Sequence, residues 1–159
     1  MGPHDDLDSQ DLAILAALKR DARISNKDLA AAVGLAPSTC LERVRRLRQS
    51  GAIRGFHADV DLSRLGCGLQ ALIAVRLKRH SRELVDSFRR YVLDLVQVRA
   101  VYHIAGADDF LVHVAVRDAD QLRDLAMDAF TTRNEVSHIE TRLIFEHMEM
   151  QRLPVGSDE

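Results

Sequence analysis

The sequence contains little cysteine and no long hydrophobic segment. Its two cysteines, Cys40 and Cys67, form neither a CxxC motif nor another paired spacing, which argues against a disulfide framework or a zinc cluster. No apolar run approaches the roughly 18 residues that cross a membrane, and residues 1–8 are polar and acidic, unlike a signal peptide. These absences predict a soluble protein of the reducing cytoplasm.

Neither sign of charge dominates the chain. Its net charge is −2 and its apolar fraction is 47%, as in an ordinary globular protein, so any nucleic-acid surface must be a local patch. The length of 159 residues allows one domain or two small ones. Changes of pattern along the chain predict two: residues 5–60 and 69–151, joined by a linker at 61–68 and followed by a tail at 152–159.

Three helices with clear start signals fill the first unit. Asp8 and Ser25 are each followed three residues later by an aspartate, a pairing typical of helix N-termini. The second helix stops at Gly34, and Pro37 opens the third helix. Two helices joined by a tight glycine turn, behind a supporting helix, predict a helix-turn-helix. The expected buried stripes are Leu12, Leu15 and Ala16 in the first helix and Leu41, Val44 and Leu47 in the third, and a following strand with Ile53, Phe56 and Val60 is expected to form a wing.

The second unit alternates strands and helices in the order β-α-β-β-α-β. This order predicts an α+β, ferredoxin-like fold with both helices on one face of an antiparallel sheet. Apolar residues occupy both sets of strand positions, so the uncovered face needs a second cover, and a partner subunit is the simplest one. The predicted strands are 69–77, 96–105, 110–116 and 136–150, and the helices are capped by Ser81 and Asp118.

Positive charge is concentrated in the third helix and just beyond it. Residues 37–57 contain five arginines and one glutamate, a net charge of +4. Small residues open this helix, as a helix end that enters the major groove requires, and the arginines can bind phosphates or guanine edges. A solvated arginine-rich face is the alternative, but the adjoining capped helix and glycine turn favour DNA. Three small residues, Ser38, Thr39 and Cys40, stand at the helix start, and the predicted DNA-binding residues are Ser25, Asn26, Lys27, Ser38, Thr39, Arg43, Arg46 and Arg54.

Four strings in this unit resemble the DNA-binding domain of the Lrp/AsnC (leucine-responsive, or feast/famine) regulators. They are RISN at 23–26, VGL at 33–35, CLERVRRL at 40–47 and GAI at 51–53. The resemblance covers nearly the whole chain, because the family joins this domain to an ACT-like βαββαβ amino-acid-sensing domain. One departure is Ala36, where the family often has a serine, and an alanine cannot cap the third helix with its side chain.

The resemblance implies a sequence-specific transcriptional regulator rather than an enzyme. It implies a homodimer formed through the sheets, further assembly to a tetramer or octamer, and binding to double-stranded DNA. It also implies a small amino-acid effector that modulates assembly or DNA affinity, with no other cofactor.

The loop HIAGADDFLV at 103–112 is the candidate effector site. A glycine beside two aspartates is compatible with a plain turn, a metal site, an acid/base pair or a socket for an amine. Adjacent aspartates on an extended chain point apart and no histidine or cysteine cluster supports them, so neither a metal nor a catalytic site is predicted. In the family pattern the glycine is followed by an acid, an aromatic, an acid and an aromatic; here Gly106, Asp109 and Phe110 match, but Ala107 and Asp108 replace the first acid and aromatic.

A carboxylate and free backbone amides can bind both ends of an amino acid, whereas simple turn chemistry is the alternative. The histidines His103 and His113 lie on the two flanking strands and could face each other, although strand histidines are more commonly structural, and the segment 131–133 is expected near the site. The predicted effector-binding residues are His103, Gly106, Ala107, Asp108, Asp109, Phe110, Thr132, Ile139 and Thr141.

Two other functions are compatible with this fold. The βαββαβ plan also serves cofactor-free enzymes that form α+β barrels, and an amino-acid-binding module can act on a protein partner without DNA. The predicted helix-turn-helix and the lack of a visible nucleophile or acid/base pair weigh against the enzyme, and salt-dependent DNA binding separates the regulator from the binding module.

Overall fold

The structure is a computed structural model that describes residues 7–79, 81–150 and 153–154. Of the predicted tail at 152–159, only residues 153–154 are described. The described residues divide into two compact units: those within 60–147 form one, and residues 7–59, 148–150 and 153–154 form the other. No helix among the described residues is long and apolar enough to cross a membrane.

The first unit contains three helices, α1 (Ser9–Arg20), α2 (Asn26–Ala32) and α3 (Pro37–Gln49). Asp8 caps α1 and forms a reciprocal capping box with Asp11, so two otherwise unpaired N–H groups at the helix start are satisfied. Ser25 caps α2, and Pro37 opens α3 behind Ala36, which makes no side-chain cap hydrogen bond. The predicted helix starts are confirmed.

The predicted buried stripes of α1 and α3 are wrong in detail. In α1 the buried residues are Asp11, Ile14 and Ala17, one position away from the predicted stripe of Leu12, Leu15 and Ala16. In α3 the buried residues are Cys40 and Leu47, whereas the side chain of Leu41 is exposed. A buried aspartate and small residues such as alanine and cysteine give a weak hydrophobic signal, so the larger leucines beside them were misleading. The core of the unit consists of Ile14, Ala17, Leu29, Ala30, Cys40 and Leu47, with Val44 packed against it.

The second unit is a four-stranded antiparallel sheet with two helices. Its strands are β1 (Leu69–Leu77), β2 (Val98–His103), β3 (Phe110–Val116) and β4 (Val136–Ile144), and its helices are α4 (Arg82–Leu93) and α5 (Ala119–Leu125). The helix α5 continues as a wider π-helical turn, Ala126–Thr131, and a short 3-10 turn, Leu62–Leu65, precedes β1. The strand order β2-β3-β1-β4 is that of the predicted ferredoxin-like fold, which is confirmed.

The two faces of the sheet differ in what covers them. Ile73 pairs with Val112 on one side and Thr141 on the other, and this face packs on Phe88 and Val92 of α4. The residues between these positions point to the opposite, open face. The open face carries Gln70, Leu72, Ala74 and Arg76 from β1, Ala100 and Tyr102 from β2, Leu111 and His113 from β3, and His138, Glu140, Arg142 and Ile144 from β4.

Two further predictions are wrong, and one contact that the sequence leaves open does not form. The strand β4 ends at Ile144 rather than at residue 150. The segment 54–61 forms no strand, because no neighbouring strand among the described residues supplies backbone hydrogen bonds to it. His103 and His113 do not face each other, since His103 pairs with Phe110, three residues before His113, and the two side chains therefore lie on opposite faces of the sheet.

Candidate functional site

The start of α3 presents small polar side chains to solvent. Ser38 and Thr39 are exposed, as are Lys27 on α2 and Arg54 beyond α3. The exposed helix N-terminus adds partial positive charge and unpaired amides. These four predicted DNA-binding residues are accessible to a nucleic acid.

Ser25 holds the start of α2, and Asn26 links α2 to α3. The hydroxyl of Ser25 accepts from the backbone N–H of Asp28 at 3.1 Å and donates to its carboxylate at 2.6 Å. The side-chain amide of Asn26 donates to the carbonyl of Pro37 at 2.8 Å, which ties the first residue of α2 to the first residue of α3. Both residues therefore support the geometry of the motif.

Arg43 and Arg46 are bound to carboxylates of α1. Arg43 donates from Nη1 to Asp8 at 2.6 Å and to Asp11 at 2.9 Å, and Arg46 donates from Nη2 to Asp11 at 2.5 Å. The Asp11 side chain is fully buried, whereas the Arg46 side chain is 57% exposed. The hydrogen bond from Arg43 holds the pKa of Asp8 below its usual range. The structure thus shows an internal role for both arginines that sequence periodicity does not reveal.

Cys40 belongs to the core rather than to the groove-facing end of α3. It is fully buried, and burial raises the pKa of its thiol. A buried thiol with a raised pKa is a poor nucleophile, so Cys40 serves packing.

In the loop between β2 and β3, the carboxylate of Asp109 points into the protein interior. It is buried and accepts from the backbone N–H of Leu77 at 2.7 Å. The backbone N–H of Asp109 donates to the carbonyl of Val75 at 2.9 Å. Asp109 therefore anchors the loop to the end of β1.

Asp108 of the same loop and Arg76 of β1 form a polar pair at the surface. Arg76 donates from Nε to the carbonyl of Ala107 at 2.5 Å and from Nη2 to Asp108 at 3.4 Å. The Arg76 side chain is 46% exposed and the Asp108 side chain is 15% exposed. Gly106 has a positive φ of 141° and open space where a side chain would stand, so a ligand can approach its backbone. Arg76 was not predicted because its partner lies 32 residues away.

The other predicted effector residues have mixed surroundings. Phe110 is fully buried in the core, and His103 is exposed and stacks on it with ring centroids 4.8 Å apart. Thr132 donates to the carbonyl of Asp128 at 2.6 Å, and Thr141 is exposed on β4. Ile139 lines a groove of about 260 Å³ whose lining residues, Thr131, Val136, Ser137, His138 and Ile139, include none of the loop 106–109.

A second, more apolar cavity of about 320 Å³ lies on the open face of the sheet. It is lined by Leu72, Tyr102, Ile104, Leu111, His113, Ile144 and His147. The ring of His113 shares a hydrogen bond of 2.8 Å with the side-chain carbonyl of Gln70, and burial together with the nearby His147 and Arg99 lowers the pKa of His113. The alternating sequence pattern predicts an apolar open face, but it does not predict the hydrogen-bonded pair of His113 and Gln70 beside the cavity.

Comparison with known proteins supports the two-part organisation. Residues 7–54 match the family described as winged helix-turn-helix DNA-binding, and residues 70–153 match the Lrp/AsnC ligand binding domain. The chain is 48% identical over 143 residues to the HTH-type transcriptional regulator AldR of Mycolicibacterium smegmatis, covering 90% of this chain and 84% of the relative.

Solved structures agree with this match. Escherichia coli AsnC superposes with a TM-score of 0.81 at 28% identity, covering 92% of this chain and 97% of that one. A transcriptional regulator of Neisseria meningitidis in complex with L-methionine superposes with a TM-score of 0.84 at 25% identity, covering 91% of this chain and 93% of that one. The helix-turn-helix, the four-stranded sheet and these matches over nearly the whole chain establish that the protein belongs to the Lrp/AsnC family of DNA-binding transcriptional regulators.

Proposed function

We propose that this regulator acts as a homo-oligomer in the cytoplasm and changes its assembly or DNA affinity when a small α-amino acid binds near the loop 106–109. We assign DNA binding to residues 5–60 and ligand binding and oligomerisation to residues 69–151, with 61–68 as the linker. Membership of a family of regulators argues against the α+β-barrel enzyme, and the helix-turn-helix argues against a sensor that acts without DNA.

The observation that carries the effector proposal is the pairing of opposite charges at an accessible loop. An amino acid presents an ammonium group, which needs an acceptor, and a carboxylate, which needs donors. Asp108 and Arg76 supply one group of each kind, and their Nη2–Oδ1 separation of 3.4 Å is long for a charge-assisted hydrogen bond. The open backbone at Gly106 adds room for the ligand. The L-methionine complex of the Neisseria regulator supports an amino acid as the ligand class.

The remaining predicted effector residues keep a supporting place in this proposal. Thr132, Ile139 and Thr141 lie on or beside β4 and can complete the site where subunits meet. His103 and Phe110 shape the base of the loop through their stacked rings. Asp109 is proposed to hold the loop rather than to contact the ligand, because its carboxylate already accepts a backbone hydrogen bond.

The open face of the sheet supports a homodimer. Leu72, Leu111 and Ile144 form part of its apolar surface around the cavity, and an apolar sheet face is normally covered by another surface. A second copy of the chain is the proposed cover, and further assembly to a tetramer or octamer would bring loop regions of different dimers together.

Calorimetry with each of the twenty amino acids tests the effector proposal. We expect one or a few small amino acids to bind, and Asp108→Asn to weaken that binding without lowering the melting temperature. Asp94→Asn, which changes an exposed aspartate at the end of α4, is the matched control and should bind normally. The proposal fails if no amino acid binds, or if Asp108→Asn and Asp94→Asn bind equally well.

A further inference from the structure

Three of the four arginines of α3 fall into two groups with different surroundings. Arg43 and Arg46 face α1 and are bound to Asp8 and Asp11. Arg45 lies on the other side of the helix, with a side chain that is 60% exposed. Because these residues are separated by only one to three positions, the difference follows from the 100° turn per residue of an α-helix.

Arg45 lies at the centre of an outward stripe. The stripe consists of Ser38, Glu42, Arg45 and Gln49, at spacings i, i+4, i+7 and i+11, and all four residues are exposed. It lies on the face of α3 opposite the buried stripe of Cys40, Val44 and Leu47. A helix that packs on its own unit through one face can enter a DNA groove only with the opposite face. This outward stripe is therefore the surface of α3 that is free to face DNA.

The acidic partners of Arg45 and Arg43 also differ, because one is exposed and the other is buried. Arg45 has only Glu42 nearby, at 3.7 Å and with a side chain that is 78% exposed, and such an exposed pair is easily exchanged for a phosphate or a base. Arg43 is 23% exposed and holds a carboxylate that is fully buried. Releasing Arg43 to DNA would leave Asp11 with one fewer cation in a buried site, which is unfavourable.

We propose that Arg45 contacts DNA, together with the outward stripe, and that Arg43 is a positioning residue that fixes α3 against α1. Arg46 belongs to both groups, because one of its nitrogens binds Asp11 and its side chain is still half-exposed. The inference rests on the proposed DNA binding of the first unit and changes which residues carry it.

The test measures binding of the full chain to a short random-sequence duplex at several salt concentrations, alongside its melting temperature. We expect Arg45→Ala to weaken binding by about tenfold and to reduce the slope of log K against log salt by about 0.9, as for one lost phosphate contact, at an unchanged melting temperature. Arg43→Ala should lower the melting temperature, but at a temperature where it is folded it should keep the wild-type salt slope. Arg123→Ala, an exposed arginine on α5, is the matched control for loss of one positive charge.

A second variant covers the case in which Arg43→Ala does not fold. Arg43→Lys retains a cation beside Asp11 and should fold with a wild-type salt slope. The inference is overturned if Arg45→Ala binds like Arg123→Ala, or if Arg43→Lys loses as much affinity as Arg45→Ala. If the wild-type chain shows no salt-sensitive binding to any duplex, including the fragment upstream of its own gene, then the DNA-binding function itself is wrong. If wild type binds and only the ranking of the variants differs, the division of roles alone is wrong.

Discussion

The two units each bury one carboxylate, but they satisfy it in different ways. In the helical unit, Asp11 is fully buried and is held by the side chains of Arg43 and Arg46. In the sheet unit, Asp109 is buried and accepts a hydrogen bond from the backbone of β1. The first arrangement depends on long, charged side chains from another helix, whereas the backbone hydrogen bond to Asp109 comes from a strand that is already fixed in the sheet. Removing the partners of Asp11 should therefore destabilise the helical unit more than removing the Asp109 carboxylate destabilises the sheet unit.

The largest effect is expected for the double variant Arg43→Ala/Arg46→Ala. It leaves the Asp11 carboxylate buried without a cation, which typically costs several kcal/mol, so the melting temperature should fall on the order of 10 °C. The melting temperature would be measured by circular dichroism at a wavelength that reports helix content. Arg45→Ala/Arg123→Ala removes the same number of charges and should melt close to wild type; equal losses in both double variants would contradict the special role of the buried carboxylate.

An intermediate effect is expected for Asp109→Ala. The variant leaves the backbone N–H of Leu77 without this acceptor, which costs about 1–3 kcal/mol in a buried position. Asp109→Asn keeps an oxygen that can accept the hydrogen bond and should lose less than half as much stability in urea unfolding. If the two variants are equally unstable, the negative charge of Asp109 matters more than its hydrogen bond, and the contrast between the two units disappears.

The smallest effect is expected for Ala36→Ser, which should stabilise the helical unit. Ala36 precedes α3 and makes no cap hydrogen bond, whereas Ser25 caps α2. A serine in an extended backbone conformation can cap the new helix start and contribute about 1 kcal/mol. A small rise in the melting temperature is expected, and Ala31→Ser, an exposed site within α2, should produce none.

Local signals in the sequence were reliable guides to this fold. The caps at Asp8, Ser25, Ser81 and Asp118 are all confirmed, because a cap is a contact between residues only three positions apart. The order of strands and helices in the second unit also follows from local alternation and helical spacing. These features needed no knowledge of distant contacts.

Side-chain partners far apart in sequence were not predictable in the same way. Arg46 meets Asp11 across 35 positions and Arg76 meets Asp108 across 32, and no local pattern encodes either pair. Arg43 and Asp109 are predicted site residues because of their charge, but in the structure Arg43 pairs with Asp8 and Asp11. The Asp109 carboxylate accepts a backbone hydrogen bond within the protein. By contrast, the exposed residues Ser38, Thr39, Lys27 and Arg54 remain predicted DNA contacts.

Asp11 also restricts which sequences this fold can tolerate. A reciprocal exchange that placed a cation at residue 11 and an anion at residue 43 would preserve the attraction between α1 and α3. It would nevertheless remove the carboxylate that accepts the backbone N–H of Asp8 and would place positive charge in the first turn of α1, where the helix dipole disfavours it. The start of α1 therefore determines which partner of this ion pair carries the negative charge. Substitutions at residues 11 and 43 are tolerated only if the acid stays on α1.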